Sequence, residues 1–223
     1  MQTKGTALLC DLLIGQRYDL AEKESRQIRR CRPFVVRMRY HKQDVHFIAC
    51  ISLENRRRRL GQGDPWDGEI KVGLTASKYL IEGFADHFAS AGDRAIGVVS
   101  SVYAQFVGGS QPVGYHVVKA GLNEMVRYYA ATLGRRGVRV NAIMPLTYMK
   151  DESRHFYEEN AALMDVYERL VPLRRMGHAE DSANALNFLC SEQASFINGQ
   201  SLFIDGGVSI VWPEEVAKSF ARL

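Results

Sequence analysis

From Arg94 to Ile204 the chain alternates short apolar runs with long stretches of helical period, and this alternation constrains its fold more than any other feature. Arg94–Ser101, Val138–Met144 and Gln200–Ile204 read as strands, the first two rich in Val and Ile. Ahead of the first, apolar residues at Ile70, Val72, Leu74, Leu80, Ile81, Phe84 and Phe88 predict a long helix over Asp67–Ala91. Further helices are predicted over Tyr115–Leu133, ended by Gly134, and over Ala179–Glu192. Gln105–Gly114 is a loop, with Gly108-Gly109 and Pro112 as breakers. Met149–Leu170 is charged, carries aromatics and has partial helical period. Upstream, strands are expected near Gly5–Leu13, Pro33–Tyr40 and Val45–Ser52, and a helix near Leu20–Arg30. Strands alternating with helices make an α/β fold with a parallel sheet. No repeat, low-complexity block or linker divides the sequence, so residues 1–223 read as one domain.

Such a chain, 46% hydrophobic, buries a full core without disulfides. No apolar run is long enough to span a membrane. Asp11 interrupts the apolar N-terminus and no small-residue cleavage site follows, so a cytoplasmic protein is expected. Cys10, Cys31, Cys50 and Cys190 are scattered, as reduced and partly buried thiols would be, and the six histidines lack metal-ligand spacing. Residues 1–64 hold 14 Lys+Arg against 7 Asp+Glu, while the remainder is net acidic. The run Arg56-Arg57-Arg58-Arg59 reads first as a solvated loop and second as a lure for an anion: a phosphate, coenzyme A or an acidic carrier protein. It has no interleaved aromatics, which argues against nucleic acid.

The chemistry concentrates in Gly114-Tyr115-His116-Val117-Val118-Lys119-Ala120-Gly121, with Ser100-Ser101 a short way upstream. A tyrosine in water has a pKa of about 10 and is a poor base at neutral pH. Lys119 lies one helical turn from Tyr115 on the same face. Its ammonium charge favours phenolate. A serine hydroxyl can then hold a substrate oxygen against the phenol, and the three groups can pass a proton to or from an alcohol, carbonyl or epoxide oxygen.

Ser-Tyr-Lys in this order resembles the active site of the short-chain dehydrogenase/reductase superfamily, and the resemblance runs from about Trp66 to Val211. Ala95–Ser101 resembles the strand that delivers the family's serine. Val138-Arg139-Val140-Asn141-Ala142-Ile143-Met144-Pro145 resembles the strand after its tyrosine helix. Asn198-Gly199-Gln200 through Ile204-Asp205-Gly206-Gly207 resembles its last strand and C-terminal turn. The resemblance implies a single Rossmann-like, doubly wound parallel sheet, shortened in its N-terminal nucleotide-binding half. It implies Ser101, Tyr115 and Lys119 as catalytic residues, with Ser100 as the alternative serine. Ser101 lies fourteen residues before Tyr115, one more than is usual in the family, which implies an insertion in the Gln105–Gly114 loop. Tyr103 and Tyr148 are candidate pocket residues, with aromatic packing as the competing role for each. His116 falls where the family varies freely and reads as incidental. Met149–Leu170 corresponds to a stretch that covers substrate. Relatives pair through the helices flanking the serine strand, so a homodimer or homotetramer is expected, with Met125, Tyr128, Tyr129 and Leu133 as one face or, equally, as ordinary core.

The cofactor side departs from the family. Its glycine-rich turn would fall on Thr6–Tyr18, where Asp11 and Arg17 replace glycines and only Gly15 remains as a remnant. An Asn-Asn-Ala-Gly motif is missing from Phe47–Ile51, Gly73 stands where an active-site asparagine would be, and Leu146 replaces a glycine. Tyr115 also comes about forty residues early by the family's measure. Halohydrin dehalogenases, a branch of this superfamily without the glycine turn, resemble Pro145–Glu159 and Pro172–Gly177, although they carry arginine where Lys119 stands. The leading expectation is therefore acid/base chemistry without a cofactor: elimination, dehydration, cyclisation, isomerisation or epoxide opening on a small oxygenated substrate, anionic or carrier-bound. One alternative is a divergent NAD(P)H-dependent oxidoreductase. The other is a non-catalytic paralogue in a mixed oligomer.

Overall fold

At the centre of the structure, β3 (Arg94–Val99) and β4 (Val138–Pro145) pair in parallel and are buried on both faces, as strands between two helical layers must be. The structure, a computed structural model, describes residues 34–40, 43–49, 66–87, 94–149 and 154–221. The elements expected near Gly5–Leu13 and Leu20–Arg30, Gly15, Cys10, Cys31, Cys50 and Arg56–Arg59 lie outside the described residues. The sheet has the order β1 (Phe34–Tyr40), β2 (Gln43–Ala49), β3, β4, β7 (Ser201–Ile204).

From β2 to β7 every pairing is parallel, as expected. The edge strand β1 is not. Only two residues join it to β2, and a parallel return needs a crossover of a dozen or more. The two strands therefore form an antiparallel hairpin, with Phe34 opposite Ala49 and Tyr40 opposite Gln43. A second, two-stranded parallel sheet, β5 (Tyr148–Met149) with β6 (Gly177–His178), lies beyond the end of β4.

Period-two alternation along β3 and β4 assigns each layer its core. Ile96, Val98, Val138, Val140 and Ala142 pack with Ile81 and Ala85 of α2 (Ala76–His87) and with Val118, Leu122, Val126 and Ala130 of α3 (Val113–Gly134). On the opposite face Ala95 and Ile143 pack with Leu186, Leu189 and Cys190 of α6 (Ala179–Cys190). This is the doubly wound, Rossmann-like arrangement. The remaining helices are α1 (Trp66–Ile70), α4 (Arg154–Glu158), α5 (Ala161–Leu170) and α7 (Pro213–Ala221).

The long helix expected over Asp67–Ala91 is interrupted. A π-turn, Lys71–Thr75, separates α1 from α2. At its middle Gly73 meets α3 so closely that an added Cβ would lie 2.8 Å from Val118 Cγ2 and nearer still to Cγ1. The asparagine expected here has no room.

The polar residues of the β4 motif are structural. Asn141 Nδ2 donates to Ile197 O (2.9 Å), and its Oδ1 accepts from Gln200 N–H (3.0 Å). Asn198 Oδ1 accepts from Val140 N–H and its Nδ2 donates to Ala130 O, both at 2.9 Å, which ties β4, α3 and the approach to β7 together. Arg139, buried in the α6 layer, donates to Leu189 O (2.6 Å) and Ser191 O (3.0 Å). A cation at a helix C-terminus satisfies carbonyls that have no partner within the helix. Tyr129 and Leu133, expected on an oligomer face, are buried in the chain's own core, and Tyr129 Oη donates to Glu82 Oε1 (2.9 Å). Tyr128 is exposed.

Candidate active site

β3 ends at the edge of the sheet where open α/β folds place their ligands, and it delivers Ser100 and Ser101 there. Ser100 N–H still bonds Ile143 O (2.8 Å), so the first serine continues the strand. Its buried Oγ donates to Lys119 O (3.0 Å) and ties the strand end to α3. Ser101 is extended (φ −164°), and its Oγ accepts from Tyr103 N–H (3.3 Å), opening the single turn Val102–Ala104.

α3 starts at Val113, two residues before the sequence-based expectation, so Tyr115 lies in its first turn and Lys119 one turn further. Lys119 is only 4% exposed. Its Nζ donates to Val99 O (3.2 Å) and stands 5.5 Å from the centroid of the Tyr115 ring. A buried ammonium thus lies between the end of the serine strand and the Tyr115 ring. It attracts the ring face.

Tyr103 belongs to this cluster. Its ring meets Tyr115 edge to face, with centroids 6.1 Å apart, and lies 5.1 Å from His116. His116 is not incidental. Its Nε2 accepts from Gly108 N–H (3.1 Å), which leaves the proton on Nδ1, and Nδ1 donates to Pro112 O (3.0 Å). The sequence signal was a histidine four residues after a proline that begins a helix, with Gly-Gly just upstream. Tyr148 lies in the wall of a cavity of about 470 Å³ at the ends of β4 and β7, with Leu146, Thr147, Phe203 and Asp205. Arg175 and Asp181 border the same cavity and pair through two bonds, at 2.7 and 2.8 Å. The Arg175 guanidinium, helped by His178 N–H, lowers the Asp181 carboxyl to about 2.

Among the described residues no group of three or more His, Cys, Asp or Glu could hold a metal, and no helix is long and apolar enough to cross a membrane.

Comparison with known proteins sharpens the chemistry. A family model described as Enoyl-(Acyl carrier protein) reductase matches residues 43–209. L-rhamnose 1-dehydrogenase (NAD(P)(+)) of Azotobacter vinelandii is 37% identical over 145 residues, 63% of this chain and 55% of the relative. The 3-oxoacyl-(acyl-carrier-protein) reductase FabG of Aquifex aeolicus is 33% identical over 143 residues, 64% of this chain and 56% of the relative. A gluconate 5-dehydrogenase from Burkholderia cenocepacia, solved in complex with NADP and tartrate, shares the fold with a TM-score of 0.63 at 24% identity, over 74% of this chain and 65% of that one. The chain spans about half the length of the curated relatives it matches.

These findings overturn the expectation of a cofactor-free site and leave the lyase or isomerase assignment that followed from it without support. The matched proteins are reductases and dehydrogenases, one with NAD(P) in its name and one solved with NADP. That expectation rested on the altered glycine turn, the absent Asn-Asn-Ala-Gly motif, Gly73 in place of an asparagine, Leu146 in place of a glycine and the early position of Tyr115. Glycines ease the approach of a backbone to a pyrophosphate, which is only one end of a dinucleotide.

Proposed function

This chain belongs to the short-chain dehydrogenase/reductase superfamily, and from that premise we propose that it is an NAD(P)-dependent oxidoreductase interconverting a carbonyl and an alcohol on a small oxygenated substrate. The observation that carries this reading is the buried Lys119 ammonium, set between Val99 O and the Tyr115 ring.

The donor set fits a nicotinamide. A phenol, a hydroxyl and an ammonium can hold and protonate a carbonyl oxygen, but they cannot change the oxidation level of its carbon. The bound nicotinamide supplies or takes up the hydride. Lys119, with Leu146 and Thr147 at the end of β4, are the described residues that would hold its nicotinamide end. In the reducing direction Tyr115 gives its phenolic proton to the substrate oxygen, and the Lys119 charge stabilises the phenolate that remains. The Ser100 hydroxyl proton is committed to Lys119 O, whereas the Ser101 Oγ is engaged as an acceptor and keeps its proton to donate. Ser101 is therefore the serine that holds the substrate oxygen. A homodimer or homotetramer is part of the same proposal, and light scattering on the purified chain tests it.

Titration of the purified chain with NADPH and NADH, followed by coenzyme fluorescence, tests the central reading. Turnover is then followed as loss of reduced coenzyme over a panel of ketones and 3-oxoacyl thioesters. Tyr115→Phe is expected to lower kcat by about 10²–10⁴-fold while leaving coenzyme affinity within about twofold, because the phenol acts on the proton. Failure of both coenzymes to bind at millimolar concentration would overturn the reading.

A further inference from the structure

We propose that His116 is a positioning residue that fixes the loop between Ser101 and Tyr115 and, through Tyr103, sets the orientation of the Tyr115 ring. The inference rests on the reading of Tyr115 as proton donor and extends it to a residue that touches no reacting atom.

The loop Gln105–Gln111 is long and largely exposed, with Val107 92% accessible, so little packing holds it in place. Its order comes from a few directed bonds. Gln111 N–H closes a turn on Gly108 O (3.1 Å). Gly108 N–H donates to His116 Nε2, and His116 Nδ1 donates to Pro112 O. One imidazole on the first turn of α3 therefore grips both the middle and the end of the loop.

Tyr103 connects this grip to the phenol. Its ring lies across Gly108, where an added Cβ would sit 2.7 Å from Tyr103 Oη, and its Oη lies 3.5 Å from Ser110 Oγ. The same ring packs against His116 at 5.1 Å and edge-on against Tyr115 at 6.1 Å. His116 also stands perpendicular to Tyr115, with centroids 6.3 Å apart. Three rings and one loop turn thus form a single packed unit. If the Gly108 bond is lost, the surface that holds Tyr103 against Tyr115 moves. A shift of about 1 Å in a proton donor can cost up to about a hundredfold in rate.

The test uses the full chain with His116→Phe, which keeps a ring against Tyr103 and removes both bonds, and His116→Gln, whose Oε1 can reach where Nε2 accepts. Amide exchange at Gly108, read by NMR, is expected to quicken about fivefold in His116→Phe, the loss of one ordinary hydrogen bond, and to return to within about twofold in His116→Gln. The Tyr115 13Cζ resonance is expected to shift in His116→Phe and to return in His116→Gln. With NADPH and any carbonyl the wild type reduces, kcat should fall at least about tenfold in His116→Phe, with coenzyme affinity within about twofold. Unchanged exchange at Gly108, or an unmoved Tyr115 resonance once the loop is loosened, overturns the proposal. A wild type that reduces no carbonyl defeats the oxidoreductase reading alone, because the two NMR measurements need no turnover.

Discussion

Gly73→Ala is expected to destabilise the protein although alanine is the better helix former. In an unobstructed helix the exchange would gain about 1 kcal/mol. Here the new methyl would meet Val118, whose Cγ2 stands 2.8 Å from the Cβ position and whose Cγ1 is closer. A valine in a helix has one strongly preferred rotamer and cannot swing aside, and Val118 is 4% exposed with its neighbours packed around it. The helices must part instead, and overpacking of this kind costs about 1–3 kcal/mol, leaving a net loss of up to about 2 kcal/mol. Val118→Ala alone deletes two buried carbons at about 0.8 kcal/mol each and leaves a void, for a total of about 2–3 kcal/mol. In the double variant the alanine methyl at 73 occupies the space the valine vacated. The two losses should therefore not add, and a coupling of about 2 kcal/mol in favour of the double variant is expected. Urea titrations of the four proteins, extrapolated to water, measure each stability. Additivity within about 0.5 kcal/mol would refute the claim that Gly73 is dictated by Val118.

Other consequences follow from single contacts. Arg139→Ala removes two charge-assisted bonds to the end of α6 and should cost about 3 kcal/mol, which for a chain of this size is a fall in Tm of roughly 6–12 °C; a fall under about 2 °C would remove Arg139 as the cap of that helix. Asp181→Asn should cost about 1 kcal/mol at neutral pH, since the carboxylate is about one-third exposed and solvent screens its pair with Arg175. Because folding lowers this carboxyl from 3.8 to about 2, its contribution is complete above about pH 4 and is lost as the pH falls towards 2. Stability curves of wild type and Asp181→Asn should converge over that interval, and a gap that persists at its lower end contradicts the ion pair.

What could be read from the sequence follows from what repeats along it. β3, β4 and α3 were legible because burial on both faces of a strand, or on one face of a helix, writes a pattern of many residues. The pairing of Tyr115 with Lys119 was legible because helical geometry alone puts residues four apart on one face. The π-turn at Lys71–Thr75 was not, since the apolar period through Ile70, Val72 and Leu74 reads as one helix. Its centre is set by a tertiary contact with Val118, which has no signature in local order. The antiparallel β1 was legible in principle. Both strands had been expected, and the shortness of their connection excludes a parallel return.

The loop before Tyr115 shows where such reading stops. An extra residue between Ser101 and Tyr115 could be counted, but counting does not say how the chain absorbs it. The structure shows a turn closed by Gln111 N–H on Gly108 O, with the Gly108 N–H turned to His116. Each of those bonds joins groups that any sequence possesses or that vary freely: two backbone amides, a carbonyl and one imidazole. No periodicity records them. Under the proposed reading they hold Tyr103, and Tyr103 borders the Tyr115 ring. Residues that donate the proton are conspicuous because their type is constrained by pKa and reach. A residue that only aims them is constrained by geometry, and that is the role proposed for His116, which reads as incidental in the sequence.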